Sequence, residues 1–242
     1  MAKEYEKYAR KYPAIVAMII PAFLTTEIIW TYFPVIQERW FVYLARVGTF
    51  IPVALVYGAI GYFARELFRD ASKTLFQYPM FREDETDMPT TKLLLRTHRN
   101  RLSSKSLDVI AAKIKNDFDI QLLNEEEERD DVDEAKKTIV DAVGKIREAT
   151  RSNHNLLHYN IDFGFCRNYL GASVYAVIFI IVVLVINVLF NVASWRFTLL
   201  MLFIQLILSM LVFLTLKSKG YSYARALFNA YVANTSYKWE GK

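Results

Sequence analysis

The chain has 242 residues, of which 54% are hydrophobic and 23% charged, with a net charge of +5 and a mean hydropathy of +0.16. Its apolar residues fall in blocks long enough to cross a bilayer, and the charge falls between them. That distribution excludes an ordinary soluble enzyme and points to a membrane protein. A single cysteine, Cys166, excludes an intrachain disulfide framework.

The chain opens with Lys3, Lys7, Arg10 and Lys11. The apolar run after them contains Pro21 and Glu27 and lacks a small-residue cleavage pattern, so it is expected to be retained as a membrane helix. A helix needs about 20 mostly apolar residues to cross a hydrocarbon core roughly 30 Å thick. Residues 14–33 supply a first expected span. Residues 41–63 supply a second, with Arg46 inside it. Glu27 lies six positions before Phe33 and Arg46 five positions after Phe41. At the helical rise per residue, both fall about 8–9 Å below the outer boundary. A charge near the centre of a span costs roughly 2.5–3.5 kcal/mol, so each needs a partner. An intramembrane Glu27–Arg46 ion pair is expected, either clasping the first hairpin or lining a water-filled path in an assembly.

Beyond the second span, Ala64, Leu67, Phe68, Ala71 and Leu75 extend a helical stripe. Residues 78–91, with Pro79, Pro89 and several acids, read as a loop. Leu102, Leu107, Ile110, Ala111, Ile114 and Phe118 then mark one amphipathic helix, and Ala135, Ile139, Ala142, Val143, Ile146 and Ala149 a second. The acidic run between them, residues 125–134, lacks the spacing and turn glycine of a calcium loop. It reads as a solvated loop whose last acids favour the following helix dipole.

Residues 147–168 are the densest polar stretch. Arg147, Arg151, His154, Asn155, His158, Asn160, Arg167 and Asn168 combine guanidiniums, which take phosphate bidentately, with amides that read hydroxyls or bases. They are the expected site for a small anionic or nucleotide ligand, or for a lipid headgroup. His154 and His158 share a helix face but have no second ligand pair at a diagnostic spacing, so no metal site is expected. Gly164, between two Phe residues, suggests a sharp turn into the bilayer.

Residues 172–190 form the least ambiguous span and residues 198–216 the fourth. Asn187 and Gln205 are their intramembrane polar groups, expected to hydrogen-bond between helices. Past Gly220, the stripe of Ala224, Leu227, Phe228, Tyr231 and Val232 has two options: the inner interface, or packing on the insert. Lys and Arg crowd the N-terminal flank, the insert ends and the segment after span four, whereas the short links 34–40 and 191–197 offer only Arg39 and Arg196. Both termini and the insert are therefore expected in the cytoplasm.

The expected fold is an all-α integral protein of the inner (plasma) membrane, with four transmembrane helices as two hairpins and a cytoplasmic helical insert between spans two and three. The expected divisions are residues 1–77, 78–168, 169–217 and 218–242. No phosphate-loop, dinucleotide, nucleophile-elbow or zinc-protease motif is present, so no enzymatic activity, cofactor or metal is expected. The expected function is an oligomeric membrane effector or channel-like protein whose insert senses a ligand or partner and rearranges the spans. Bacterial antiphage effectors that damage the inner membrane share such a layout, an analogy of architecture alone. The alternative is a non-catalytic anchor that recruits a cytoplasmic protein. Expected partners are the lipid bilayer, further copies of the chain, a cytoplasmic protein and a small anionic ligand, with no nucleic acid.

Overall fold

The computed structural model describes residues 1–32, 50–99, 101–190 and 193–234; of residues 2, 27, 29–32 and 50–59 it describes the backbone alone. Among the described residues every regular element is helical. One short helix and a π-helical turn open the chain, α1 (Ala2–Tyr5) and the π turn Glu6–Lys11, and the long α2 (Tyr12–Tyr32) follows. Next come α3 (Phe50–Ser72), the π turn Lys73–Gln77, α4 (Tyr78–Phe81), α5 (Pro89–Leu94), α6 (Ser104–Phe118) and α7 (Glu125–Asp130). The series ends with α8 (Val132–Ala149), α9 (His154–Phe190) and α10 (Trp195–Ala233). The chain separates into two compact units. One, here the helical unit, comprises Met1–Tyr5, Gln77–Gly164 and the chain from Thr215; the other, the apolar unit, comprises Glu6–Phe76 and Phe165–Leu214.

The helical unit forms where the amphipathic stripes predict it. Leu107, Ile110, Ile114 and Phe118 of α6 are buried against Ala135, Ile139, Val143 and Ile146 of α8. The stripe past Gly220 takes the second of its two options, because Ala224, Leu227, Phe228 and Tyr231 complete this same core. Each large apolar side chain sealed in this way contributes about 1.5–3 kcal/mol. Tyr231 adds direction to the packing. Its ring stacks on Phe118 with centroids 5.8 Å apart, and its hydroxyl donates to Asp117 Oδ2 at 2.9 Å.

Several local expectations are corrected here. Residues 78–91 are not one loop, because Pro79 and Pro89 each occupy the first turn of a short helix, where a missing N–H costs nothing. α6 starts after Ser103, whose side chain accepts from the Ser106 amide, which leaves Leu102 outside the helix. The acidic run is not a solvated loop. Asn124 and Glu127 close a capping box that nucleates α7, and Asp131 accepts from the Glu134 amide to cap α8. Gly164 makes no turn: α9 runs through it, as α10 runs through Gly220. Hydrogen bonds from both sides of these glycines propagate the helix, and the absence of a Cβ is no barrier when flanking turns are fixed.

In the apolar unit, α9 and α10 contain stretches long and apolar enough to cross a membrane; they are the two such helices among the described residues. Their outward faces are apolar, with Ile178, Val182, Leu189, Phe203, Ile207 and Leu214 exposed. Inward, Leu24 of α2 packs on Ile180 and Val183, while Phe68 of α3 packs on Tyr169, Ala172 and Ala17. Close approach at this second cluster requires Gly171. A Cβ there would collide with the Phe68 carbonyl oxygen and lie 2.7 Å from Ser72 Cβ.

That contact gives a direct test. Gly171→Ala is expected to destabilise the protein by about 1–3 kcal/mol through overpacking. Gly144→Ala, on α8 with nothing within 4 Å of the added methyl, is expected to stabilise it, by about 1 kcal/mol from helix propensity. Thermal unfolding of both variants in one detergent checks the opposite signs.

Candidate functional site

The polar groups singled out in the sequence do not converge. Arg147 is committed to Glu85, with Nη1 donating to Oε2 at 2.7 Å inside the helical unit. Asn168, buried in the apolar unit, donates through Nδ2 to the Ala9 carbonyl at 2.6 Å and accepts from the Ser72 hydroxyl at 3.3 Å. It is a clasp between the π turn, α3 and α9, with its amide nitrogen and oxygen both engaged inside the fold. Arg151, His154, Asn155 and His158 are exposed, and Asn160 half-buried, along the first turns of α9 and the preceding turn. The His154 and His158 rings meet edge to face with centroids 5.6 Å apart. No group of three metal-ligating side chains occurs among the described residues. Arg167 is half-buried and belongs to the apolar unit.

The polar groups of the long apolar stretches behave differently. Asn187 Nδ2 donates to Thr198 Oγ1 at 2.8 Å, joining the last turn of α9 to the first turn of α10. Gln205 Nε2 donates to the Tyr169 hydroxyl at 3.5 Å. Both side chains are buried, and Asn187 Oδ1 accepts no hydrogen bond among the described residues. The Glu27–Arg46 pair lies outside the described residues, since Arg46 falls within 33–49 and Glu27 is described by its backbone alone.

The strongest constellation is one that the sequence reading passed over. After α5 the chain reads Arg96-Thr-His-Arg-Asn-Arg101, and Arg129 on α7 lies against it. Together with Thr97, His98 and Glu125 these arginines line an open cleft of about 370 Å³. The loop is shaped from beneath by Glu128, which is 2% exposed. Its Oε2 accepts from the Arg96 amide at 2.8 Å, and its Oε1 accepts from the Thr97 amide at 2.8 Å and the Thr97 hydroxyl at 2.6 Å. A buried carboxylate is tolerated because these three donors replace its water. The acidic run therefore contributes one internal anchor, with the remaining acids outside. Carboxylates also hold the guanidiniums: Arg96 pairs with Asp108 at 2.9 Å, while Glu125 pairs with Arg129 at 2.8 Å and with Arg101 at 3.6 Å. Arg101 Nη1 additionally donates to the Arg96 carbonyl.

Beside the cleft, Asp87 sits among Arg82 at 3.3 Å, Lys136 at 3.4 Å and Lys92 at 3.6 Å. Burial works to raise its carboxyl, but the three cations outweigh burial and hold it below the usual 3.8. His98 is held below its ordinary 6.5 first by burial, then by the Lys92 and Lys217 cations, with Asp87 and Glu128 pulling the other way. The density of Arg96, Arg99 and Arg101 within six residues was a legible signal. It was masked because the longer polar stretch at 147–168 drew on the same chemistry.

Compared with protein-family models, with curated proteins and with solved structures, the chain matches none. The site must be read from its own geometry.

Glu128→Ala would leave two loop amides without a partner, at about 1–3 kcal/mol each. Hydrogen exchange over residues 95–102 is expected to accelerate at least tenfold, with the α8 segment changing less; uniform acceleration of both would show that Glu128 supports the whole unit instead. His98 gives a pH test. Its folded value lies below its unfolded value, so the unfolded chain binds the proton first. The associated stability is present above about pH 6.5 and is lost as pH falls through the lower folded value. Thermal midpoints are expected to fall between pH 7 and 5, and His98→Gln is expected to flatten that slope.

Proposed function

We propose that the chain is a non-catalytic, oligomeric membrane effector in which the helical unit takes up a ligand and its rearrangement is passed to membrane-spanning helices. In this reading α2 and α3 carry the first hairpin and α9 and α10 the second, with four spans in all. The helical unit and both termini lie in the cytoplasm of a multi-pass inner-membrane protein. The observation that carries the reading is helix continuity. α10 supplies Ala224, Leu227, Phe228 and Tyr231 to the core of the helical unit, and the same unbroken helix contains an apolar stretch of membrane-crossing length. α9 likewise runs from His154 to Phe190 without a break. A packed core has few alternative arrangements, so a ligand that favours one of them biases whatever helices are built into it.

The alternative, an anchor that recruits a cytoplasmic protein, draws on the acidic insert and its two amphipathic stripes. Those stripes are buried with the chain's own α6, α8 and α10, which leaves less apolar surface for a partner and favours the effector reading. The lysines and arginines that flank the apolar segments, Lys217 and Lys219 among them, support the orientation.

In a Cys166→Ala background, Ser194→Cys is expected to react with an impermeant maleimide from outside intact cells, and Ser218→Cys only after permeabilisation. The reverse pattern would sink the orientation. In proteoliposomes, ligand-dependent dye or ion flux is expected, reduced by Glu27→Gln or Arg46→Ala at unchanged expression. A correctly oriented protein that never conducts and never oligomerises would overturn the effector reading.

A further inference from the structure

We propose that the cleft formed by Arg96, Arg99, Arg101 and Arg129 binds a phosphate-bearing anion, either a free phosphate compound or a lipid phosphate headgroup. Its role as a sensor rests on the effector reading above, whose sensing unit it belongs to; binding itself does not.

Charge comes first. Four guanidiniums share the cleft, against the carboxylates of Glu125, Asp108 and, beneath the loop, Glu128, and the cations outnumber the anions by one. Arg99 is exposed and makes no ion pair among the described residues. Like charges gathered this closely repel, and an incoming dianion relieves that repulsion. Geometry comes second. Each guanidinium has five N–H donors, and pairing with Asp108 or Glu125 engages only some of them while fixing the plane of the fork. The loop backbone is fixed in turn by Glu128. The forks of Arg96, Arg101 and Arg129 are thus held before any ligand arrives, which reduces the entropy lost on binding, and Arg99 is the one left to close on the anion.

The lining chooses among anions. It consists of arginine, histidine, threonine and glutamate, with no Phe, Tyr or Trp ring to give a base a broad stacking face. A single-stranded nucleic acid needs such stacking platforms along an extended groove. A carboxylate ligand offers two oxygens in one plane. A phosphate presents three or four oxygens in a tetrahedron and can meet forks from the loop and from α7 together. The Arg96 and Thr97 amides are already taken by Glu128, so recognition falls to the side chains.

The test uses the full-length protein in phosphatidylcholine nanodiscs, titrated calorimetrically with pyrophosphate, and a second set of nanodiscs containing phosphatidic acid. Saturable pyrophosphate binding is expected for a free ligand. Hydrogen-exchange protection of residues 96–101 only in the phosphatidic acid discs identifies a headgroup. In either arm Arg99→Ala is expected to weaken the effect about tenfold or more, and Arg99→Lys to give an intermediate loss, because charge remains but the fork is gone. Arg151→Ala, an exposed arginine outside the cleft, is expected to leave it unchanged. Thermal melting verifies that each variant is folded. The proposal is overturned if neither probe gives a saturable effect, or if Arg151→Ala weakens it as much as Arg99→Ala. Binding at the cleft without any flux response would retain this site and discard the effector reading. Flux without binding at the cleft would do the opposite.

Discussion

The two long helices α9 and α10 each join an apolar stretch long enough to cross a membrane to a segment packed in the core of the helical unit. A helix that crosses lipid must satisfy every backbone N–H and C=O internally, because lipid offers no partner. Beyond that stretch, the same helix buries apolar side chains against other helices of the helical unit. Both helices run unbroken through glycines, Gly164 and Gly220, that belong to the helical unit. In the apolar unit, large side chains such as Phe203 and Leu214 point outward while Ala17, Gly171, Ala172 and Ala176 lie where the helices pack together. Small residues and buried hydrogen bonds such as Asn187 to Thr198, the devices that hold helices together in lipid, join the helices here.

The helical unit solves a different problem, which is how to keep a strongly charged segment ordered. Its main device is local capping: Ser103, Asn124 and Asp131 each accept amides at a helix start. The second device is to turn one acid of a long acidic run inward. Glu128 meets the otherwise unpaired amides of the loop that follows α5 and so fixes where the arginines of that loop stand. Most exposed ion pairs on the surface contribute little on their own. The pairs around the cleft matter more for the order they impose on guanidiniums than for stability.

Much of the helical unit was legible in the sequence because period-3.6 stripes report burial directly. Ala135, Ile139, Ala142, Val143, Ile146 and Ala149 are all buried as expected, and the α10 stripe could be assigned to one of two environments before the structure distinguished them. The short elements were not legible. Pro79 and Pro89 signal either a turn or a first helical turn, and only the surrounding chain decides. The acidic run failed for a related reason: a count of like charges predicts solvation, and it cannot identify the single carboxylate that tertiary contacts will bury. Where two helices could be recognised by length and hydropathy alone, α9 and α10, the structure agrees.

The candidate site illustrates why polar density is a poor guide to a binding site. In residues 147–168 the most ligand-like groups are consumed internally, Arg147 by Glu85 and Asn168 by Ala9 and Ser72. Those groups complete the fold, and removing them would expose unpaired partners rather than empty a pocket. A site needs polar capacity left over after the fold has used its share. The Arg96–Arg101 loop has that surplus, because its backbone is satisfied by Glu128 and its guanidiniums outnumber the carboxylates around them. Ordered but under-neutralised charge is costly to maintain, and on the binding proposal above a bound anion would lower that cost. Neutralisation removes repulsion within the loop between α5 and α6, two elements packed into the core that α10 completes. A change in the electrostatics of that loop is therefore a change in the packing energy of the unit into which a long apolar helix is built.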